Sequence, residues 1–169
     1  LFFSIAEQLP HRSFTMILSP ADIRRSQQAE RCARQRKNVR FLGPVPSAQI
    51  TEHFRATQVL LCTSEREGFP NIFLQAWECG KPVVSLFVDP DQVIQRHGLG
   101  AAFGASPAMG PKERGGLICE AAQRIESLLL SESKRAVIAD NARSYVRRYH
   151  APETILEHLL NIFYEEEGR

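Results

Sequence analysis

Residues 64–86, SEREGFPNIFLQAWECGKPVVSL, pass from a charged run through a Gly-Phe-Pro turn into a short apolar segment, which stops at a glycine and resumes as Pro-Val-Val-Ser-Leu. Asn71 is a good helix N-cap, Ile72, Ala76 and Cys79 recur on one helical face, and Gly80 followed by Lys81 and Pro82 is a C-terminal stop. The pattern predicts a helix over residues 72–79, about two and a half turns. Apolar runs at residues 59–62 and 82–86 flank it, as strands buried on both faces require. Strand, short helix and strand in this order form a parallel βαβ unit.

Outward from that unit the pattern repeats. Strands are predicted at residues 14–18 and 39–43, with a weaker one at 100–103, and helical spacers at 21–37 and 47–57. The alternation predicts an α/β fold, an open parallel sheet with helices on both faces. Phe2, Ile5 and Leu9 read as the apolar face of a helix at the start of the chain.

Beyond Pro111 the pattern is helical only, a tail over about residues 112–169. Ile118, Ala122, Ile125 and Leu129 keep one stripe; Ile138, Ala142, Tyr145 and Tyr149 a second; Ile155, Leu159, Ile162 and Phe163 a third. Pro152 suits the first turn of the last helix, and Glu165, Glu166 and Glu167 are expected to be a frayed, solvated end. The run GPKERGG at residues 110–116 lacks the spacing and the Ser/Thr of a phosphate-binding loop, and reads as an ordinary loop.

With 169 residues, 43% of them hydrophobic and 24% charged, the chain can build one core and is too short for two ordinary domains. A net charge of +2 gives no general attraction to nucleic acid, which is not an expected partner. Cys32, Cys62, Cys79 and Cys119 stand far apart, with neither disulfide nor zinc spacing, so reduced thiols and a cytoplasmic location are expected. No apolar run approaches the ~20 residues that cross a bilayer. One basic concentration, Arg24, Arg25, Arg31, Arg34, Arg36, Lys37 and Arg40, spreads around a helix as a solvated face; peripheral contact with a membrane surface is the second expectation it carries.

The turn at residues 67–71 lies where an open parallel sheet binds ligands, beyond the carboxyl end of a strand. A helix start offers unpaired N–H groups and positive dipole, and Gly68 lets a ligand approach the backbone. Glu67 would repel a phosphate and suits neutral hydroxyls, as on a sugar; Gln75, the fourth helical residue if Asn71 caps, leans back toward the same ligand. Against this stands a plain strand-to-helix connection in which glycine and proline serve turn geometry. Spacing leaves both open.

The run ATQVLLCTSEREGFPNIFLQAWECGKPVVS resembles the C-terminal, donor-binding domain of retaining GT-B glycosyltransferases of family 4. That signature is Glu, seven residues, Glu, with Gly-Phe after the first Glu and A-x-x-x-G-x-P-V after the second. Glu67, Gly68 and Phe69, Ala76, Gly80, Pro82 and Val83 match it; VRFLGPVP upstream and VDPDQVIQRHGLG downstream are also similar, so the likeness covers roughly residues 1–104. It implies a Rossmann-like fold, the C-terminal half of a GT-B enzyme, over residues 1–169.

The resemblance also implies roles. Glu67 would bind donor-sugar hydroxyls and support positive charge at the anomeric carbon. The main chain at Gly68, Phe69, Pro70, Asn71 and Ile72 would hold the diphosphate, one such donor being worth about 3 to 4 kcal/mol. Pro44 and Val45 match the stretch that reads the base edge. The partners implied are a nucleotide diphosphate sugar and a glycan or lipid-linked acceptor, with no metal and no organic cofactor.

Two departures from the family pattern stand out. Gln75 occupies the position of the second signature Glu, which binds the nucleotide ribose, so the charge-assisted bond is lost and the grip on nucleotide is expected to weaken. The family's first strand, its Arg/Lys pair and its acceptor-binding domain have no counterpart here. The resemblance therefore implies a chain truncated at its N-terminus and inactive by itself. Asp89-Pro90-Asp91 spells the D-x-D of metal-dependent transferases but reads as a turn, and His97 is expected to be exposed, with no catalytic role. Two further readings remain: a non-catalytic GT-B-like interaction domain, motivated by Gln75, and a GT-B-related nucleotide-sugar epimerase.

Overall fold

The computed structural model describes residues 1–18 and 23–167; side chains are described for these except residues 158, 159 and 162–167. Helix α1 (Phe2–Gln8) leads to β1 (Phe14–Ile17), α2 (Ile23–Arg34), β2 (Val39–Gly43), α3 (Ser47–Ala56) and β3 (Leu60–Cys62). Then come α4 (Asn71–Glu78), β4 (Val83–Ser85), a 3-10 turn (Pro90–Gln92), α5 (Val93–Arg96) and β5 (Gly100–Ala102). The chain ends in α6 (Pro111–Leu130), α7 (Glu132–His150) and α8 (Pro152–Glu167). All five expected strands form, each within a residue or two of its expected bounds; Ala21, the first residue of the spacer before β2, lies outside the described residues.

Every pairing is parallel, as the apolar strand runs require, but the sheet is divided. β1 pairs with β2, Phe14 opposite Val39; β4 lies between β3 and β5, Val83 opposite both Leu60 and Gly100. Among the described residues no ladder joins β1 to β3, so the expected parallel α/β architecture is laid out as two parallel ladders. The cause is spatial: a cavity of about 750 Å³ separates the two strands and is lined by both.

Side chains alternate across the central strand and feed two layers. Val83 packs with Trp77, Phe73 and Ile94 beneath α4 and α7. Val84 packs with Ile5, Leu117 and Ile125 beneath α1 and α6. Gly100 sits against β4 so closely that a Cβ would lie 1.9 Å from the Val83 carbonyl oxygen, and its φ of +151° disfavours any side chain. Only glycine permits that approach.

The helical tail begins at Pro111, within a residue of its expected start. The GPKERGG run is not a loop: Pro111 opens α6, where its missing N–H costs nothing, and the Glu113 carboxylate accepts from the Gly110 N–H at 2.8 Å. Of the first stripe, Ala122 and Ile125 are buried; of the second, Ala142 is buried and Tyr149 is exposed. Ile155 is exposed, and the side chains of Leu159, Ile162 and Phe163 lie outside the description. Helix α8 extends through Glu167.

Ion pairs tie the first helix to its neighbours. Arg12 donates to Glu126 of α6 through Nε at 3.0 Å and Nη2 at 2.8 Å, and His11 Nε2 lies 3.1 Å from the same carboxylate. Arg36 donates to Glu7 and lies over the Phe3 ring at 4.8 Å, so this member of the basic stretch is a structural clamp. Arg24, Arg31 and Arg34 are exposed, as a solvated face requires. No helix among the described residues is long and apolar enough to cross a membrane.

Candidate functional site

Parallel strands bring the loops after β3 and β4 side by side at the carboxyl edge of the sheet. Between them lies an open cleft of about 600 Å³ lined by Glu65, Arg66, Glu67, Gly68, Phe87, Val88, Asp89 and Pro90. Glu67 and Gly68 are exposed there, and no heavy atom lies within 4 Å of the place a Gly68 Cβ would take. The backbone at Gly68 is open to a ligand on that side.

The start of α4 differs from expectation. Asn71 is not its N-cap: Pro70 holds that position with φ −69° and ψ 115°, and Asn71 is the first helical residue. The fixed φ of proline suits the approach to a helix, and the Pro70 carbonyl accepts from the Phe73 N–H at 2.9 Å. No side chain caps α4, so the N–H groups of Asn71 and Ile72, ahead of the bonded Phe73 and at the positive end of the dipole, remain open to an acceptor. Gln75 accordingly becomes the fifth helical residue, half-buried.

Of the residues singled out in the sequence, the structure brings Glu67 and Gly68 into the cleft. Phe69, Pro70, Asn71 and Gln75 continue the same loop and helix outside its lining, and Ile72 lines the cavity between β1 and β3. Pro44 and Val45 follow β2, at the same edge of the fold but outside the cleft. Asp89, read only as a turn residue, does make that turn, its Oδ1 accepting from the Ile94 N–H at 2.8 Å, yet it also faces Glu67's loop across the cleft. The adjacency of β3 and β4 was the signal available for it. Among the described residues no group of three or more His, Cys, Asp or Glu is arranged to hold a metal ion.

A second feature escaped the sequence. Phe69 packs edge-on to buried Trp77, ring centroids 6.3 Å apart, and against His150 at the end of α7 at 5.5 Å. Tyr145 joins Trp77 at 5.4 Å and His150 at 5.2 Å, with its hydroxyl 3.2 Å from His150 Nε2. His97 is half-buried in this group, 4.9 Å from the Tyr145 ring, which corrects its expected exposure. Burial lowers the pKa of His150 and raises that of Tyr145. Aromatic packing thus braces the loop that carries Glu67 against the helical tail.

Comparisons with known proteins agree with this architecture. The D-inositol 3-phosphate glycosyltransferase of Geodermatophilus obscurus is 36% identical over 72 residues, 41% of this chain and 16% of that protein. The structure of Anabaena HepE in complex with UDP, also solved with UDP-glucose, superposes with a TM-score of 0.68 at 23% identity, covering 96% of this chain and 44% of that one. The C-terminal domain of the group 1 glycosyl transferase LpcC from Francisella tularensis gives 0.68 at 20% identity, covering 89% and 78%. This chain spans less than half the length of the first two. The fold is that of GT-B glycosyltransferase C-terminal domains, parallel sheets flanked by helices. Residues 4–113 match the family described as Glycosyl transferases group 1, and the chain belongs to that family.

Proposed function

We propose that the protein binds the donor in a retaining transfer of a sugar from a nucleotide diphosphate sugar to a glycan or lipid-linked acceptor. The observation that carries the proposal is the joint placement of Glu67 and Gly68 in the cleft at the carboxyl ends of β3 and β4, just before the uncapped start of α4. The parts divide the ligand by charge. Main-chain donors at Gly68 and the first turn of α4 hold the diphosphate and stabilise it as it leaves; Glu67, which an anion would avoid, accepts from sugar hydroxyls and supports the cationic anomeric carbon. Phe69, Pro70 and Asn71 supply the loop, Ile72 and Gln75 the helix, and Pro44 and Val45 read the base.

No metal or organic cofactor is part of this scheme, because helix dipole and backbone donors supply the positive potential. HepE's complexes with UDP and UDP-glucose support the donor class. The structure of S. aureus TarM with fondaparinux, alpha-GlcNAc-glycerol and UDP, TM-score 0.72 at 18% identity, supports a saccharide acceptor. The acceptor is expected to dock on a further domain of a longer protein at or near a membrane surface, in glycan or glycolipid synthesis.

The test is direct. The full-length gene product, titrated calorimetrically with an array of nucleotide sugars, is expected to bind at least one and to release nucleoside diphosphate with a suitable acceptor. Failure of both overturns the proposal. Glu67→Ala is expected to remove most turnover, about 100-fold or more, while leaving the melting temperature unchanged; wild-type turnover would exclude Glu67 from the chemistry.

A further inference from the structure

The fold uses only half of the Asp89 carboxylate. Oδ1 accepts from the Ile94 N–H at 2.8 Å, the bond that turns the chain from β4 into α5. Oδ2 is buried and has no hydrogen-bond partner among the described residues. A carboxylate oxygen shut away from water without a donor is costly, and the great majority of buried polar atoms in folded proteins are satisfied. The turn itself has no use for the second oxygen, because serine or asparagine would accept from Ile94 in the same way.

Asp89 stands in the β4 wall of the cleft, with Glu67 and Gly68 in the β3 wall. Charge divides the space between them. Glu65, Glu67 and Asp89 line it together with one cation, Arg66, and the first three residues of the β3 wall, Glu65, Arg66 and Glu67, are exposed. The open Asn71 and Ile72 N–H groups, at the positive end of α4, lie beyond the Glu67 loop. A ligand with one anionic and one neutral end is thereby oriented: its diphosphate goes to α4, and its neutral end meets carboxylates. Ionised carboxylates only accept, so a phosphate oxygen cannot satisfy Oδ2, whereas a hydroxyl can, through a charge-assisted bond. Phe87 gives the same wall an apolar stretch, which suits the C–H face of a sugar ring.

We propose that Asp89 is a specificity-determining residue for the donor: its Oδ2 accepts from a hydroxyl of the transferred sugar opposite Glu67, and the two carboxylates select neutral sugars against uronic acids. The assignment rests on the donor-binding role proposed for this cleft and names the class of sugar it takes. One oxygen of Asp89 anchors the side chain to Ile94, and the other reads the ligand. Contact requires the wall to give slightly as the sugar enters, and the next two residues make it yielding: Asp91 and Gln92 hold left-handed backbone that side chains rarely adopt, so the turn is not at its local minimum. A uronate in the same place brings its own charge against two like charges, which is discrimination by repulsion.

The experiment compares Asp89→Asn with wild type in the full-length gene product. The Ile94 N–H demands an acceptor, so the amide oxygen takes the place of Oδ1 and the NH2 group falls where Oδ2 stood; the turn survives while the reading atom changes from charged acceptor to neutral donor. Calorimetry is run with UDP and GDP, then with UDP-glucose, GDP-mannose and UDP-glucuronate. The variant is expected to bind bare diphosphate within about two-fold of wild type, to bind the neutral nucleotide sugar roughly five-fold or more weakly, and to lose roughly ten-fold in preference over UDP-glucuronate. Asp89→Ser, which also keeps one oxygen for Ile94, is expected to give the same split. Equal losses on diphosphate and nucleotide sugar, with a lowered melting temperature in both variants, would make Asp89 a turn residue only and overturn the proposal. So would an unchanged preference between neutral and uronic sugars, or donor binding abolished by EDTA, which would give Oδ2 to a cation. A wild-type protein that binds none of these ligands overturns the donor-binding reading itself, whereas intact diphosphate binding without the split overturns the Asp89 assignment alone.

Discussion

Phe69 and His150 stack with ring centroids 5.5 Å apart and planes inclined at 43°, although 81 positions separate them in the chain. One belongs to the loop that carries Glu67, the other to the last residue of α7. The contact ties the loop to a side chain whose native-state protonation is pushed below its ordinary range by burial. Burial lowers the pKa of His150 from 6.5, so the native state favours the neutral ring. As pH falls, the unfolded chain takes up the proton first; the stabilisation is complete above 6.5 and is lost as pH falls through the lowered native value. His150→Gln is expected to flatten this part of the pH dependence. Melting curves at pH 7.5 and 5 check it, and emission from Trp77, the chain's one tryptophan, reports whether Phe69 and Tyr145 keep their places.

Glu126 answers to a different range. Hydrogen bonds from Arg12 first, and from His11 second, hold its carboxyl well below 4.5, at about 2. Its stabilisation is present above 4.5 and is lost as pH falls toward 2. Glu126→Gln is expected to lower the melting temperature at pH 7, with an effect that shrinks as pH falls below 4.5 and is nearly gone only below pH 2, which thermal unfolding across that range measures.

Gly100→Ala is expected to be among the most damaging single-methyl changes in the molecule. The added carbon meets the Val83 carbonyl at 1.9 Å and forces a side chain onto φ +151°, so β5 must leave β4. A loss of about 3 kcal/mol or more follows, readable by chemical denaturation.

Gln75→Glu tests the idea that this position touches the nucleotide ribose. Restoring a charge-assisted hydrogen bond is worth about 1 kcal/mol, so nucleoside diphosphate affinity is expected to rise roughly five-fold. Calorimetry that shows identical affinity would remove Gln75 from the site.

Local pattern made much of this fold legible. Buried strands announce themselves as apolar runs, and Gly80 and Pro82 end α4 through conformational limits that act within one turn. The same local signals misled where two residues competed for one role: Asn71 is the better cap by propensity, but Pro70 already fixes the backbone for entry. Glycine content argued for a loop at residues 110–116, while Pro111 and Glu113 held the helix start against it. The packing of His97 and His150 with Tyr145 depends on where α7 lies across α4, a relation that no window of the sequence contains. Asp89 entered the cleft for a topological reason, the adjacency of β3 and β4.

Asp91 and Gln92 follow Asp89 with φ of +50° and +57°, two consecutive side-chain-bearing residues in the left-handed region. Each such residue costs about 1 kcal/mol or more relative to glycine, and asparagine tolerates the region better than glutamine does. A library randomised at these two positions and selected only for heat resistance should therefore drift toward Gly and Asn. The same library selected for ligand capture should keep whichever pair best aims the wall of the cleft that Asp89 and Pro90 form.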